Sequence, residues 1–205
     1  MLQYPGARGR PGGRGQYPGA RKRLRRQDGG MLSIQMNDAA ARLLGAHDGL
    51  LPAPPPDGLA AGLEEILKRG VVRRERVLTW AGSTGGAAGA PSFFPDLTAW
   101  ECSDSSFHPE DFVPVDVAII DDAPVISEAA QRTLLIQGLG FGIRFACLVR
   151  DLDEPGPVRC ITGANDTNAT FRFHQVRAGE RWNDPDLDSY KLDKVIVIDI
   201  VPPVR

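Results

Sequence analysis

The last third of the chain alternates apolar and polar residues, which is typical of half-buried β-strands. Residues fall alternately on two faces at 143–150, 158–162 and 171–174, so each of these stretches is predicted to be a strand. Residues 195–201 are apolar on both faces except at Asp199, which favours a strand inside the sheet. The connector between 158–162 and 171–174 is short, and we therefore expect those two strands to pair antiparallel.

Three segments show the wider spacing of apolar residues that a helix requires. Asn37 is an N-cap candidate for a short helix that Gly45 or Gly49 ends, and Ser127 is one for a helix running to Gln137. The third segment places apolar residues on one face of residues 59–67, before a glycine stop. We expect three closely spaced glycines to end the Ser127 helix: Gly138, Gly140 and Gly142.

The order of these elements predicts the fold class. Residues 77–80 are predicted to form another strand, and residues 97–102 a further one. A chain of 205 residues that is 42% hydrophobic has enough apolar material for one globular domain. We expect an α+β domain over residues 31–205, with a mostly antiparallel sheet of about five strands and two or three helices packed on one face.

Residues 1–30 differ from the rest of the chain. They contain eight Lys or Arg residues, one acid and eight glycines, and residues 3–8 recur at 16–21. Such a segment cannot bury a core, so a disordered basic arm is predicted. The arm is the one feature that favours a nucleic-acid partner, through phosphate contacts. The alternative is that Met31 is the native start.

Candidate chemistry is sparse. The three cysteines lack C-x-x-C spacing, which favours a reducing, cytoplasmic setting. The longest apolar runs fall short of the roughly 20 residues of a membrane-spanning helix, so no membrane partner is expected. His47, His108 and His174 match no nucleophile or metal motif. We therefore assign no catalytic residue, no metal and no cofactor.

Negative charge is concentrated in one segment. Residues 77–131 contain no Lys or Arg but nine acids, together with several aromatic residues. An acidic surface with anchoring rings fits a basic protein partner. The alternative is that the acids keep a loop soluble while the rings enter the core. The candidate partner-binding residues are Glu101, Asp104, Glu110, Asp111, Asp121 and Asp122.

A second charge pattern suggests a different function. Four basic residues on the predicted strands fall opposite the apolar face, where they could hold an anionic ligand: Arg144, Arg159, Arg172 and His174. A small enzyme or a ligand-binding domain would use such a face. The alternative is a solvated face whose charges are paired by nearby acids.

Residues 123–135, which read APVISEAAQRTLL, are followed by Gly138 and the predicted strand at 143–149. This stretch resembles a myxobacterial-type immunity protein family of bacterial polymorphic-toxin systems. The resemblance implies a soluble, non-catalytic antagonist of a toxin or enzyme, and it identifies no individual functional residue. Together with the acidic segment it favours a binding protein that covers a basic surface.

Overall fold

The structure is a computed structural model that describes residues 30–46, 50–86 and 92–203, together with the backbone of residues 21–27. The strands in these residues are β1 (Arg21–Gln27), β2 (Gly30–Met36), β3 (Val71–Arg74), β4 (Val77–Trp80), β5 (Val117–Ile120), β6 (Ala123–Ile126), β7 (Val158–Ala164), β8 (Ala169–Gln175) and β9 (Lys194–Val201). The α-helices are α1 (Asp38–Leu44), α2 (Ala61–Arg69), α3 (Leu97–Asp104) and α4 (Glu128–Arg150). Short 3-10 helices occupy Pro109–Asp111 and Leu187–Ser189.

The main sheet has the strand order β1-β2-β9-β7-β8, and every neighbouring pair is antiparallel. β9 therefore lies inside the sheet, as predicted for residues 195–201. One of its faces, which carries Ile196 and Ile198, belongs to the main core. On the other face Val195 and Val197 pack with Ile161 and Leu187 in a second, smaller core. The predicted antiparallel pairing of β7 and β8 is confirmed.

Helix α4 packs along the sheet and supplies much of the main core. The side chain of Ser127 accepts a hydrogen bond from the amide of Ala130, as expected for an N-cap. Phe141, Phe145 and Val149 recur every four residues and are fully buried. The expected end of this helix at Gln137 is wrong, because the helix continues to Arg150.

The predicted strand at residues 143–150 is also wrong, since these residues form the last two turns of α4. The glycines explain both errors. A Cβ at Gly138 would overlap the side chain of Thr162 in β7, and a Cβ at Gly142 would overlap Ile198 in β9. Glycine at these positions lets the helix backbone lie close to the sheet. Burial against the sheet outweighs the low helix propensity of glycine.

Helix α4 is long and apolar enough to cross a membrane by length and composition, and it is the one such helix among the described residues. The sequence prediction concerned uninterrupted apolar runs, and α4 contains none of that length, because Arg132, Gln137 and Arg144 interrupt it. Half of the helix's most apolar window is buried inside the protein. Its apolar face packs on the sheet, as in the core helix of a globular domain.

The shorter elements follow local signals in most cases. Asn37 caps α1 through the amide of Ala40, and Gly45 ends it in the left-handed region. Helix α2 ends at Gly70, and β4 forms at the predicted residues. The predicted strand at 97–102 is wrong. This stretch is helix α3, which Asp96 caps by accepting from the amide of Ala99.

The fold is mixed α+β with antiparallel sheets, in agreement with the predicted class. Sheet size and helix number differ from the prediction, with four α-helices among the described residues and two separate two-stranded sheets, β3-β4 and β5-β6. Four strands between Gly30 and Val201 build the main sheet, and β1 adds an edge strand. β1 belongs to the predicted disordered arm, whose residues 1–20 lie outside the described residues.

We expect Gly138→Ala to destabilise the protein by about 1–3 kcal/mol, because its Cβ would overlap Thr162 in a packed core. Thr162 is β-branched and cannot turn aside freely. Gly140→Ala is the control in the same helix. Its Cβ would lie 3.2 Å from Cδ2 of Leu59 and 3.3 Å from the ring carbon Cδ of Pro55, which is a longer approach than the one at Gly138. Urea unfolding measures both variants, and equal stabilities would contradict the close contact at Gly138.

Candidate functional site

Glu101, predicted to bind a partner, is buried with 0% of its surface exposed. Its carboxylate accepts hydrogen bonds from the backbone amides of Leu78 in β4 and Gln175 in β8, at 2.6 and 2.8 Å. Both oxygens also contact the guanidinium of Arg177 at 2.7 Å. The assignment of Glu101 to a partner surface is therefore wrong, and this carboxylate holds α3 against two strands.

Two more acids of the segment are engaged inside the protein. Asp104 accepts hydrogen bonds from the hydroxyls of Thr79 and Ser83. Glu110 accepts one from the backbone amide of Ala169 at 3.1 Å, and its side chain is 13% exposed. These contacts take both carboxylates out of the predicted partner surface. Glu101, Asp104 and Glu110 therefore connect the acidic segment to strands β4 and β8.

Several aromatic residues of the acidic segment also lie inside the protein. Trp100 is buried, and Phe107 and Phe112 pack against the main core. Phe107 contacts the rings of Phe141 and Phe171, with ring centroids 5.4 and 5.3 Å away. These rings stabilise the fold instead of anchoring a partner, as the alternative interpretation of the segment expected.

The remaining predicted acids are exposed: Asp111, Asp121 and Asp122. Asp121 and Asp122 form the two-residue turn of the β5-β6 hairpin with φ values of 50° and 61°. A two-residue turn with both residues in the left-handed region is the type I′ turn that suits the twist of a hairpin. Aspartate tolerates this conformation better than most residues. The turn therefore presents two adjacent carboxylates to solvent.

The hairpin is exposed along most of its length, and Ile126 is its one buried residue. Ile119 and Ile120 are 68% and 55% exposed, an unusual state for two neighbouring isoleucines. Pro124, which has no amide hydrogen, lies opposite Ile119 on β6. Sequence reasoning missed these apolar residues, although the run Val-Ala-Ile-Ile before Asp-Asp is a hairpin signal.

Of the four basic residues predicted to hold an anion, the structure brings three together on the sheet. Arg144 lies on α4 and binds the carboxylate of Glu64 at 2.8 and 3.0 Å, so its assignment to the sheet face is wrong. Arg159 and His174 are directly opposite each other on β7 and β8, and Arg172 pairs with Ile161 two residues along. These three residues share the face of the sheet that is opposite α4.

A cavity of about 400 Å³ lies on this outer face. Arg159 and His174 line it, together with residues of the segment that follows β8, including Arg177, Arg181 and Asn183. Arg159 binds Asp199 through two nitrogens at 2.7 and 3.0 Å. Arg172 instead lies over the ring of Trp182, 5.1 Å from its centroid. Sequence reasoning missed the residues of this segment, because they lie outside any regular strand pattern.

His174 is buried, with 3% of its surface exposed. Its Nδ1 lies 2.8 Å from the carbonyl oxygen of Gln175. A carbonyl only accepts, so Nδ1 carries the hydrogen. Burial lowers the pKa of His174 below its usual 6.5, and the charges of Arg159 and Arg177 lower it further. The Gln175 hydrogen bond and Glu101 act in the opposite direction. No described residue makes a hydrogen bond to its Nε2.

The described residues contain no cluster of three or more His, Cys, Asp or Glu side chains that could hold a metal ion. Cys102 and Cys160 are buried, and burial raises the pKa of both thiols. Buried thiols with raised pKa values are poor nucleophiles. The two candidate surfaces that the geometry offers are the hairpin and the cavity.

A family model described as "Uncharacterized protein PM0498 family" matches residues 56–203. The chain belongs to the PM0498 family. The matched region contains the hairpin, α4 and the strands β7, β8 and β9. No curated protein and no solved structure matches the chain. Both candidate surfaces thus lie mainly within the part of the chain that the PM0498 family shares.

We expect Glu101→Gln to destabilise the PM0498-family chain by about 3–5 kcal/mol, because it removes a fully buried carboxylate from the half-buried guanidinium of Arg177, whose nearest charge partner it is. Asp111→Asn is the control, since Asp111 is exposed and lies in the same acidic segment. Its effect should stay within about 0.5 kcal/mol. Urea unfolding of both variants checks the expectation, and a Glu101→Gln protein as stable as wild type would contradict the buried ion pair.

Because the pKa of His174 is lowered in the folded state, the unfolded chain takes up a proton at higher pH than the folded one. Stability is therefore expected to fall as the pH decreases below 6.5. His174→Asn keeps a donor for the Gln175 carbonyl but has no titrating ring, so it should lose this part of the pH dependence. Denaturant unfolding at about pH 7.5 and about pH 5.5 measures it. If the free energy of unfolding of His174→Asn fell with decreasing pH as steeply as that of wild type, His174 would not be the buried neutral group that causes the fall.

Proposed function

We propose that the chain is a non-catalytic, cytoplasmic binding protein that covers a basic surface on a protein partner with the β5-β6 hairpin. The observation that carries this proposal is the pair of exposed isoleucines, Ile119 and Ile120, next to the paired acids of the turn. The predicted strand at 143–149 is part of α4, so the resemblance to immunity proteins is carried by residues 123–135, and it makes a basic toxin or enzyme the partner that we propose. That stretch begins at β6 of the same hairpin.

The apolar part of the hairpin supports a docking role. An isolated two-stranded hairpin is marginally stable in water. The β5-β6 hairpin is exposed along most of its length. It is held at Ile126, whose amide donates a hydrogen bond to the carbonyl of Asp166 at 2.7 Å. Ile119 and Ile120 are neighbours in a strand and lie on opposite faces of the hairpin, so a partner that covers either face would remove an isoleucine from water. The hairpin would gain stability from the partner, while the partner would gain an apolar anchor.

The charge around the hairpin supports a basic partner. Asp116, Asp121, Asp122 and Glu128 are exposed in the hairpin or within two residues of it in the sequence, and residues 77–131 contain no Lys or Arg. Charges at the rim of an interface mainly accelerate association, and they do so more at low salt. The isoleucines would slow dissociation instead, because apolar anchors act in the bound complex.

Edge pairing is a further way in which the hairpin could bind. In a hairpin with a two-residue turn the flanking residues form a hydrogen-bonded pair, so Ile119 and Pro124 form a non-hydrogen-bonded pair. Pro124 has no amide to offer on the outer edge of β6. The outer edge of β5 carries no proline, so β5 is the edge on which a partner strand could pair.

The test compares wild type with Asp121→Asn/Asp122→Asn, which removes two charges and keeps residues that tolerate a left-handed turn. Asp153→Asn/Glu154→Gln is the control, with the same charge change on exposed residues beyond the other end of α4. Each tagged protein captures partners from a lysate of the cells that produce it. Association rates of the captured partner are then measured by surface plasmon resonance.

We expect a basic partner whose association with the turn variant is about tenfold slower at low salt, with the difference lost at high salt. Ile119→Ser/Ile120→Ser should accelerate dissociation of the same partner by about tenfold or more. The control should match wild type in both rates. Equal rates for wild type and both hairpin variants, or capture of acidic partners alone, would overturn the proposal.

A further inference from the structure

The cavity on the outer face of the sheet is separate from the hairpin and has its own chemistry. Its floor is formed by Gln35, Arg159, His174 and Val197, and the segment that follows β8 forms its walls. Its volume of about 400 Å³ lies within the range of small-molecule pockets, which is about 300–1,000 Å³. The cavity therefore has room for a small organic ligand.

His174, which lines the cavity, has an unsatisfied acceptor. Because Nδ1 donates to the Gln175 carbonyl, the neutral ring carries its free lone pair on Nε2. This atom is buried and has no hydrogen-bond partner among the described residues. A buried polar atom without a partner is unfavourable and rare in native proteins. A ligand that offers a proton to Nε2 would remove this penalty.

The charges around His174 favour an anion. Arg159 and Arg177 also line the cavity, but each already holds a carboxylate, from Asp199 and from Glu101. Arg181 is exposed at the cavity and forms no ion pair with the residues that the structure describes. Glu180, the remaining acid of the lining, accepts hydrogen bonds from Thr98 and lies 3.9 Å from Arg177. Among the lining residues that the structure describes, Arg181 is thus the cation without an ion pair.

We propose that this cavity binds a small phosphomonoester, with phosphate oxygens on Arg181 and one P–OH proton shared with Nε2 of His174. A phosphomonoester monoanion has both requirements, because it is negatively charged and keeps one proton up to a pKa near 6. Its organic part fills the volume beyond the phosphate. A fully ionised anion such as sulfate lacks the proton, and burial among Arg159 and Arg177 opposes protonation of the ring in its place.

The test measures binding of inorganic phosphate, glycerol phosphate and sulfate by isothermal titration calorimetry at about pH 6, where phosphomonoesters keep a proton. Wild type should bind both phosphates about tenfold or more tightly than sulfate. His174→Asn keeps the donor to Gln175 but has no atom at the place of Nε2, so its preference for phosphate over sulfate should disappear.

Two arginine variants complete the test. Arg181→Gln should weaken all three anions by about tenfold, as expected for the loss of a charged hydrogen-bond donor. Arg132→Gln, an exposed residue of α4, is the matched control and should bind all three as wild type does. Equal affinity of wild type for phosphate and sulfate, a preference that survives in His174→Asn, or no binding of any anion would overturn the proposal.

Discussion

The buried carboxylate of Glu101 joins several separate parts of this structure. It lies on α3, accepts the backbone amides of Leu78 and Gln175, and pairs with Arg177 in the segment after β8. The side-chain amide of Gln175 donates to it as well, at 3.0 Å. A charge buried without such partners would be strongly unfavourable. The positions of α3, of the β3-β4 hairpin and of the wall of the cavity therefore depend on one another.

This constraint explains why the acidic segment divides into two parts. The carboxylates from Asp96 to Glu110 bind inside the protein, where they cap a helix or accept hydrogen bonds from amides and hydroxyls. The carboxylates from Asp111 to Glu128 are exposed to solvent, in the part of the segment that carries the hairpin. An acid-rich segment without Lys or Arg thus serves both the fold and a surface. The exposed half is the part that remains available to a basic partner.

The same constraint connects the two proposed binding surfaces only indirectly. Arg177 is fixed by Glu101 and lines the cavity, whereas the hairpin enters the fold at Ile126 and at the N-terminus of α4. Changes in the hairpin therefore leave the contacts of His174 and Arg181 in place. Ligand binding in the cavity and partner binding at the hairpin can be tested one at a time.

Much of the fold could be predicted because local signals agree with tertiary packing. Asn37, Ser127 and Gly70 mark helix ends in the sequence and in the structure, and the apolar run at 195–201 is an inner strand. Residues 143–150 could not be assigned by alternation, since Phe141, Phe145 and Val149 also fit a helical period. Only the sheet beneath Gly138 and Gly142 shows why glycines continue this helix.

The candidate sites were predictable to a smaller degree. Alternation places Arg159, Arg172 and His174 on one face, as the structure shows. Their partners Asp199, Trp182 and Asn183 come from other parts of the chain, and no local pattern links them. Charge counting found the acidic segment but could not separate buried Glu101 from exposed Asp121. That separation depends on burial, which follows from tertiary packing.

Amide hydrogen exchange tests the central claim, that the hairpin is the partner-binding surface, most directly. It is measured on the free protein and on its complex with the captured basic partner. In the free protein the amides of residues 117–125 should exchange rapidly, because this hairpin is exposed and paired only with itself. In the complex these amides should become protected while those of β7 and β9 stay unchanged. Protection confined to other segments, with residues 117–125 unaffected, would contradict the account.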